Sequence, residues 1–138
     1  MLERSGRAEA IGIRELSATF SPAAGADNHC SMTIQVVDKN GVALHGFHTF
    51  LLWLSDSAIG KGLTATTSSG TSTALLTNGA ELGILTAKKA WVVQTQENGT
   101  YVLDIIDDAS TLFYVAVHFP GQINPVVSAV LETADYGT

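Results

Sequence analysis

Residues 47–54 read Phe47-His48-Thr49-Phe50-Leu51-Leu52-Trp53-Leu54. Successive side chains of an extended chain point to opposite faces. Phe47, Thr49, Leu51 and Trp53 therefore share one face, and His48, Phe50, Leu52 and Leu54 share the other. Both faces are largely apolar. A strand of a two-layer antiparallel protein ordinarily shows one face to the core and one to water. Leaving Phe50, Leu52 and Leu54 in water would forgo about 1.5–3 kcal/mol for each side chain. The stretch predicts a strand covered on both sides. The second cover is the N-terminal segment, the C-terminal segment, the chain's own loops or another subunit, and Phe50, Leu52 and Leu54 become candidate interface residues.

Strand signals continue on either side. Upstream, Met32, Ile34 and Val36 alternate with Thr33 and Gln35, and Asp38-Lys39-Asn40-Gly41 is a turn, because Asn-Gly readily takes positive φ. A short strand is expected over 42–44. Downstream, residues 91–96 and 101–107 flank Glu97-Asn98-Gly99 and predict a hairpin. Phe113, Val115, Val117 and Phe119 line one face of a further strand that Pro120-Gly121 ends. Residues 55–79 are rich in Ser, Thr, Gly and Ala. They read either as Thr-rich strands over 63–67 and 71–76 or as one long loop, closed by Asn78-Gly79. Gly and β-branched residues interrupt every helical window.

The pattern predicts an all-β fold, an antiparallel β-sandwich of immunoglobulin-like or jelly-roll-like type, over residues 30–119. An extended N-terminal arm, 1–29, precedes it. The arm holds scattered charges and a run of loop formers over 21–28, and is either a disordered terminus or a docking segment through Ile11, Ile13 and Leu16. A C-terminal tail or added strand, 120–138, follows, with Val126 and Val127 in its apolar piece.

Composition narrows the function classes. Apolar residues make up 46% of the 138 and charged ones 14%, against about 25% in an average domain. A surface built from Ser, Thr, Asn, Gln and Gly loses less on desolvation than a charged one, which favours contact with protein. The net charge of −6 and the few basic residues argue against a grip on nucleic acid. No run approaches the ~20 apolar residues of a membrane-spanning helix. The first twenty residues hold no apolar signal core, so the expectation is a chain made in the cytoplasm.

Chemistry-bearing residues are sparse. His29-Cys30 is an adjacent pair, but neighbours in a strand face opposite ways. Ser68, Ser69 and Ser72 lack the Gly-x-Ser-x-Gly turn of a nucleophile. His29, His45, His48 and His118 are too dispersed for a zinc site, and Asp104, Asp107 and Asp108 lack calcium-loop spacing. Asn98-Gly99-Thr100 reads as a turn rather than a glycosylation site. The expectation is a protein that is not an enzyme and takes no cofactor or metal. Trp53, Trp91, Tyr101 and Tyr114 either pack in the core or, exposed, stack on sugars.

Ile34-Gln35-Val36-Val37-Asp38-Lys39-Asn40-Gly41-Val42-Ala43-Leu44-His45-Gly46 resembles the opening of many bacterial and phage immunoglobulin-like domains, and Asn98-Gly99-Thr100-Tyr101-Val102-Leu103-Asp104-Ile105 resembles their later Gly-Thr-Tyr strand. The run from Trp53 to Ala65 (WLSDSAIGKGLTA), with Gly83 to Ala90 (GILTAKKA), is similar to small structural proteins that decorate or cement the heads of tailed bacteriophages. That resemblance implies a capsid-surface protein of the virion, assembled in the host cytoplasm. Its partners would be the major capsid protein and itself, as a trimer or dimer, and it would bind neither nucleic acid nor membrane. The alternatives are a tail or baseplate component and a carbohydrate-binding or adhesion module.

Overall fold

The computed structural model describes residues 15–66, 68 and 79–137. These described residues form eight strands: β1 (Leu16–Ala24), β2 (His29–Asp38), β3 (Thr49–Ser55), β4 (Ala80–Thr86), β5 (Ala90–Gln94), β6 (Thr100–Ile106), β7 (Tyr114–His118) and β8 (Val126–Val127). The one helical element among the described residues is a 3-10 turn at Thr133–Asp135. One sheet has the order β1-β2-β6 and the other β4-β5-β3-β7-β8, with every pairing antiparallel. The chain is an antiparallel β-sandwich. β2 lies between β1 and β6 in one sheet, and β3 lies between β5 and β7 in the other, with β4 and β8 at its edges.

Period-2 alternation builds the core. Cys30, Met32, Ile34 and Val36 of β2 and Tyr101, Leu103 and Ile105 of β6 face inward from the smaller sheet. Phe50, Leu52 and Leu54 of β3, Trp91 and Val93 of β5, and Val115 and Val117 of β7 meet them from the larger one. Phe50 sits edge-on between Tyr101 and Phe119, with ring centroids at 6.5 and 5.3 Å. Such pairs add about 0.5–1.5 kcal/mol beyond the area they bury.

Several expectations need correction. The stretch from Leu16 to Ala24 is not an arm: it is a nine-residue strand in unbroken register with β2. Leu16, Ala18 and Phe20 alternate with Ser17, Thr19 and Ser21, and the apolar set packs against the core. The 97–99 turn does not close a hairpin. β5 and β6 belong to different sheets, so residues 95–99 cross from one layer to the other. Thr95 holds that crossing: its hydroxyl donates to the Gly46 carbonyl and accepts from the His48 N–H. Gly99 makes it possible, since any Cβ there would collide with the Leu44 carbonyl.

The C-terminal residues are likewise part of the domain. β8 pairs with β7, and the chain then continues along it through Ser128 N–H to Val115 O and Leu131 N–H to Phe113 O, both 2.8 Å. Leu131 and Tyr136 are buried in the core. The 42–44 strand reduces to a single bridge between Val37 and Ala43, and residues 63–66 form no strand. The strand read over 71–76 lies outside the described residues. β4 was not foreseen, because two register shifts break its alternation.

Candidate protein-interaction surface

Phe50, Leu52 and Leu54 are at most 1% exposed, and the smaller sheet covers them. They serve the core, which corrects their reading as an interface. The apolar face left over on β3 is the other one. Leu51 and Trp53 point away from the core, beside Val92 and Ala90 of β5 and His118 and Ala116 of β7.

The chain's own loop comes down on that outer face at Trp53. After β3, residues 56–64 fold back so that the Trp53 indole N–H donates to the Gly60 carbonyl at 3.1 Å. A Cβ added at Gly60 would lie 3.1 Å from Val127 and 3.3 Å from Ala116, so the loop seals both beneath it. Asp56 pins the loop, accepting from the Thr64 hydroxyl and the Ala65 N–H. These bonds, the Ala65 N–H foremost, hold its carboxyl below the usual carboxylate range. Val127 is therefore half-buried under an intramolecular cover. Leu51 remains 38% exposed and Phe47 63% exposed.

Leu16 and Val126, far apart in sequence, come together. They line one groove of about 600 Å³ on the open side of the sandwich, between the start of β1 and the loop from Gly121 to Pro125. Leu16 and Val126 both pack on the core edge, and Ile123 stands 93% exposed at the groove's rim. Glu15 and Lys39 add one charge of each sign. His118 fixes the loop, its Nε2 lying 2.6 Å from the Gln122 carbonyl. Ile11 and Ile13 lie outside the described residues. The contribution of Ile123 was missed, although an apolar residue between Pro120-Gly121 and Asn124-Pro125 marks an apolar loop tip.

The residues weighed for chemistry have structural places. Cys30 is inward and buried, and burial, with the Asp135 carboxylate second, pushes its thiol up to about 11. That favours the unreactive protonated form. Asp107 accepts from the Ala109 and Thr111 N–H groups, Asp104 from the Ser31 hydroxyl and Asp108 from the Asn28 amide. Among the described residues no group of three or more His, Cys, Asp or Glu side chains is placed to hold a metal ion. Trp91 and Tyr101 are core residues, so only Trp53 and Tyr114 of the four weighed aromatics reach the surface. No described helix is long and apolar enough to cross a membrane. No protein-family model matches the chain, and no curated protein matches it significantly.

Proposed function

We propose that the chain is a non-enzymatic structural protein that binds other protein chains, and that it does so as a decoration or cement protein of a tailed-phage head. The observation that carries the reading is the groove where Leu16, Pro125 and Val126 meet beneath the exposed Ile123. It joins a surface of mixed apolar and polar character, with Leu16, Ile123, Pro125 and Val126 beside Glu15, Ser17, Lys39, Gln122 and Asn124, to a sandwich with few charges. The similarity of residues 53–65 and 83–90 to head-decorating proteins supplies the particular partner, the major capsid protein. Binding by many copies, each with a modest interface, would add avidity to the shell. An adhesion module is less well supported, because Trp91 and Tyr101 are withdrawn into the core.

The test is addition of the purified chain to undecorated heads of the phage that encodes it. Co-sedimentation with the heads and a higher head-disruption temperature are expected, both weakened by Ile123→Asp. Failure of the wild-type chain to co-sediment overturns the head assignment, and immunogold labelling confined to the tail would move the role there.

A further inference from the structure

Among the described residues four strands form the edges of the two sheets: β1 and β6 of one, β4 and β8 of the other. An open edge presents unpaired N–H and C=O groups, and proteins guard such edges with charges, bulges or brevity. β4 carries Glu81 and two register shifts, β8 is two residues long, and β6 carries Asp104 in its second half. β1 has no charge, bulge or brevity to guard it, and its one edge-blocking residue, Pro22, lies in its second half. The strand runs nine residues in regular register without a charged side chain.

The direction of its backbone groups follows from one bond. Gly25 N–H donates to His29 O at 3.0 Å, in the register that β1 keeps with β2. Odd-numbered residues of β1 therefore bond to β2, and the N–H and C=O groups of Leu16, Ala18 and Phe20 point to the open side. Pro22 is even-numbered, so its missing N–H costs no ladder bond. It limits the usable edge to residues 16–20.

We propose that β1 pairs with β1 of a second copy of this chain, antiparallel about a twofold axis at Ala18. In that register Leu16 of each copy meets Phe20 of the other, and Ala18 meets Ala18. All three pairs join residues whose backbone groups point outward, so the edge is complementary to itself, as a twofold interface must be. Phe20 of the second copy arrives beside Leu16, at the mouth of the groove that Leu16 lines with Pro125 and Val126. Two three-stranded sheets become one of six strands. Residues 1–14 are a poorer occupant: Ile11 and Ile13 are their only β-branched residues, and Glu3, Arg4, Arg7, Glu9 and Arg14 spread charge along them. The proposal stands on the sheet edge and does not depend on the capsid reading.

Sedimentation equilibrium tests it. The wild-type chain is expected at twice its 14.5 kDa mass. Ala18→Pro removes an outward N–H without removing a ladder bond to β2, and is expected to give the single-chain mass with a far-ultraviolet spectrum that stays that of a β protein. Should that variant misfold, Thr19→Lys places like charges beside the axis from an exposed side chain and should also give single chains. The register is read by mixing Ser17→Cys chains with Thr19→Cys chains. Those positions face each other as a non-hydrogen-bonded pair about 4.5 Å apart, within disulfide range, and oxidation should link the two kinds of chain. A single-chain wild type, a dimer that survives both variants, or a mixture that does not cross-link overturns the proposal. So does a wild type that becomes dimeric only when residues 1–14 are removed, which would make that segment the occupant.

Discussion

The indole N–H of Trp53 and the carbonyl of Gly60, 3.1 Å apart, tie the loop after β3 to the outer face of the sheet it has just left. Both cross-strand neighbours of Trp53 are alanines, Ala90 and Ala116, which leaves room for the loop to come down. Gly60 is held at φ +74, where a side chain costs about 1–2 kcal/mol, and a Cβ would press on Val127 and Ala116 besides. Gly60→Ala is expected to lower the unfolding free energy by at least that amount in urea titrations. Trp53→Phe should cost about 1 kcal/mol through the lost bond. Equal stability of wild type and both variants would mean that the loop does not seal the face.

The two faces of β3 are predicted to differ sharply. Phe50→Ala and Leu52→Ala each empty a position facing the smaller sheet and should cost about 3–5 and 2–5 kcal/mol. Leu51→Ala, on the outer face, should cost less than about 1 kcal/mol. Chemical denaturation of the three variants checks the assignment. A large loss at Leu51 with small losses at Phe50 and Leu52 would reverse the faces.

The crossing between β5 and β6 has its own signature. Gly99 and Gly41 share φ +83, but Gly41 has open space around its missing Cβ while Gly99 abuts the Leu44 carbonyl. Both alanine variants incur the left-handed cost of about 1–2 kcal/mol. Only Gly99→Ala must also move backbone, and it should lose several kcal/mol or fail to fold. Thermal unfolding of the pair separates conformational strain from steric exclusion. Matching losses would show that the crossing has slack.

The sequence told its story where alternation was clean. Met32 to Val36, Phe113 to Phe119 and the doubly apolar 47–54 stretch each announced a strand, and together they implied two packed layers. It could not say which apolar face of β3 met the core, because that depends on β2 and β6, distant in sequence. The 97–99 turn reads the same whether the flanking strands pair or part; the steric exclusion at Gly99 appears only once Leu44 is in place. β1 was hidden by Ser21, Pro22 and the alanines, which read as loop formers although their period-2 neighbours Leu16, Ala18 and Phe20 carried the signal. Of the candidate interface, Leu16 and Val126 were legible as apolar residues, and their meeting in one groove was not.

Cys30 supplies a probe of the folded state. Its thiol is pushed up to about 11 by burial and by the Asp135 carboxylate. Thiol reagents attack the thiolate, so at pH 8 the native thiol is held in its unreactive protonated form. Modification should be slow in buffer and complete within seconds in urea. The sign of the linked stability follows. A group whose pKa is raised on folding adds stability below its unfolded value, near 9.0, and that contribution disappears as pH rises towards about 11. Cys30→Ala should flatten the alkaline fall in stability over that window. An unchanged slope would assign the fall wholly to Tyr101 and Tyr136, whose hydroxyls burial also holds above their usual range.

The last eight residues decide whether the C-terminus is a clamp for partners or a wall of the domain. Leu131 is buried and bonded to Phe113, and the Tyr136 hydroxyl donates to the Thr111 carbonyl. Gly137 then closes against the opposite sheet, exchanging bonds with Asn28 and His29 at 2.9 Å, so close to Gly25 that no side chain fits there. A wall makes stability, not binding, the sensitive quantity. Leu131→Ala should cost about 2–5 kcal/mol and Tyr136→Phe about 1 kcal/mol. Removal of residues 131–138 should expose the β7 end of the core and leave a chain that unfolds at far lower urea, whether or not a partner is present. If the truncated chain unfolded like the full one and lost only its binding, the segment would be a clamp after all.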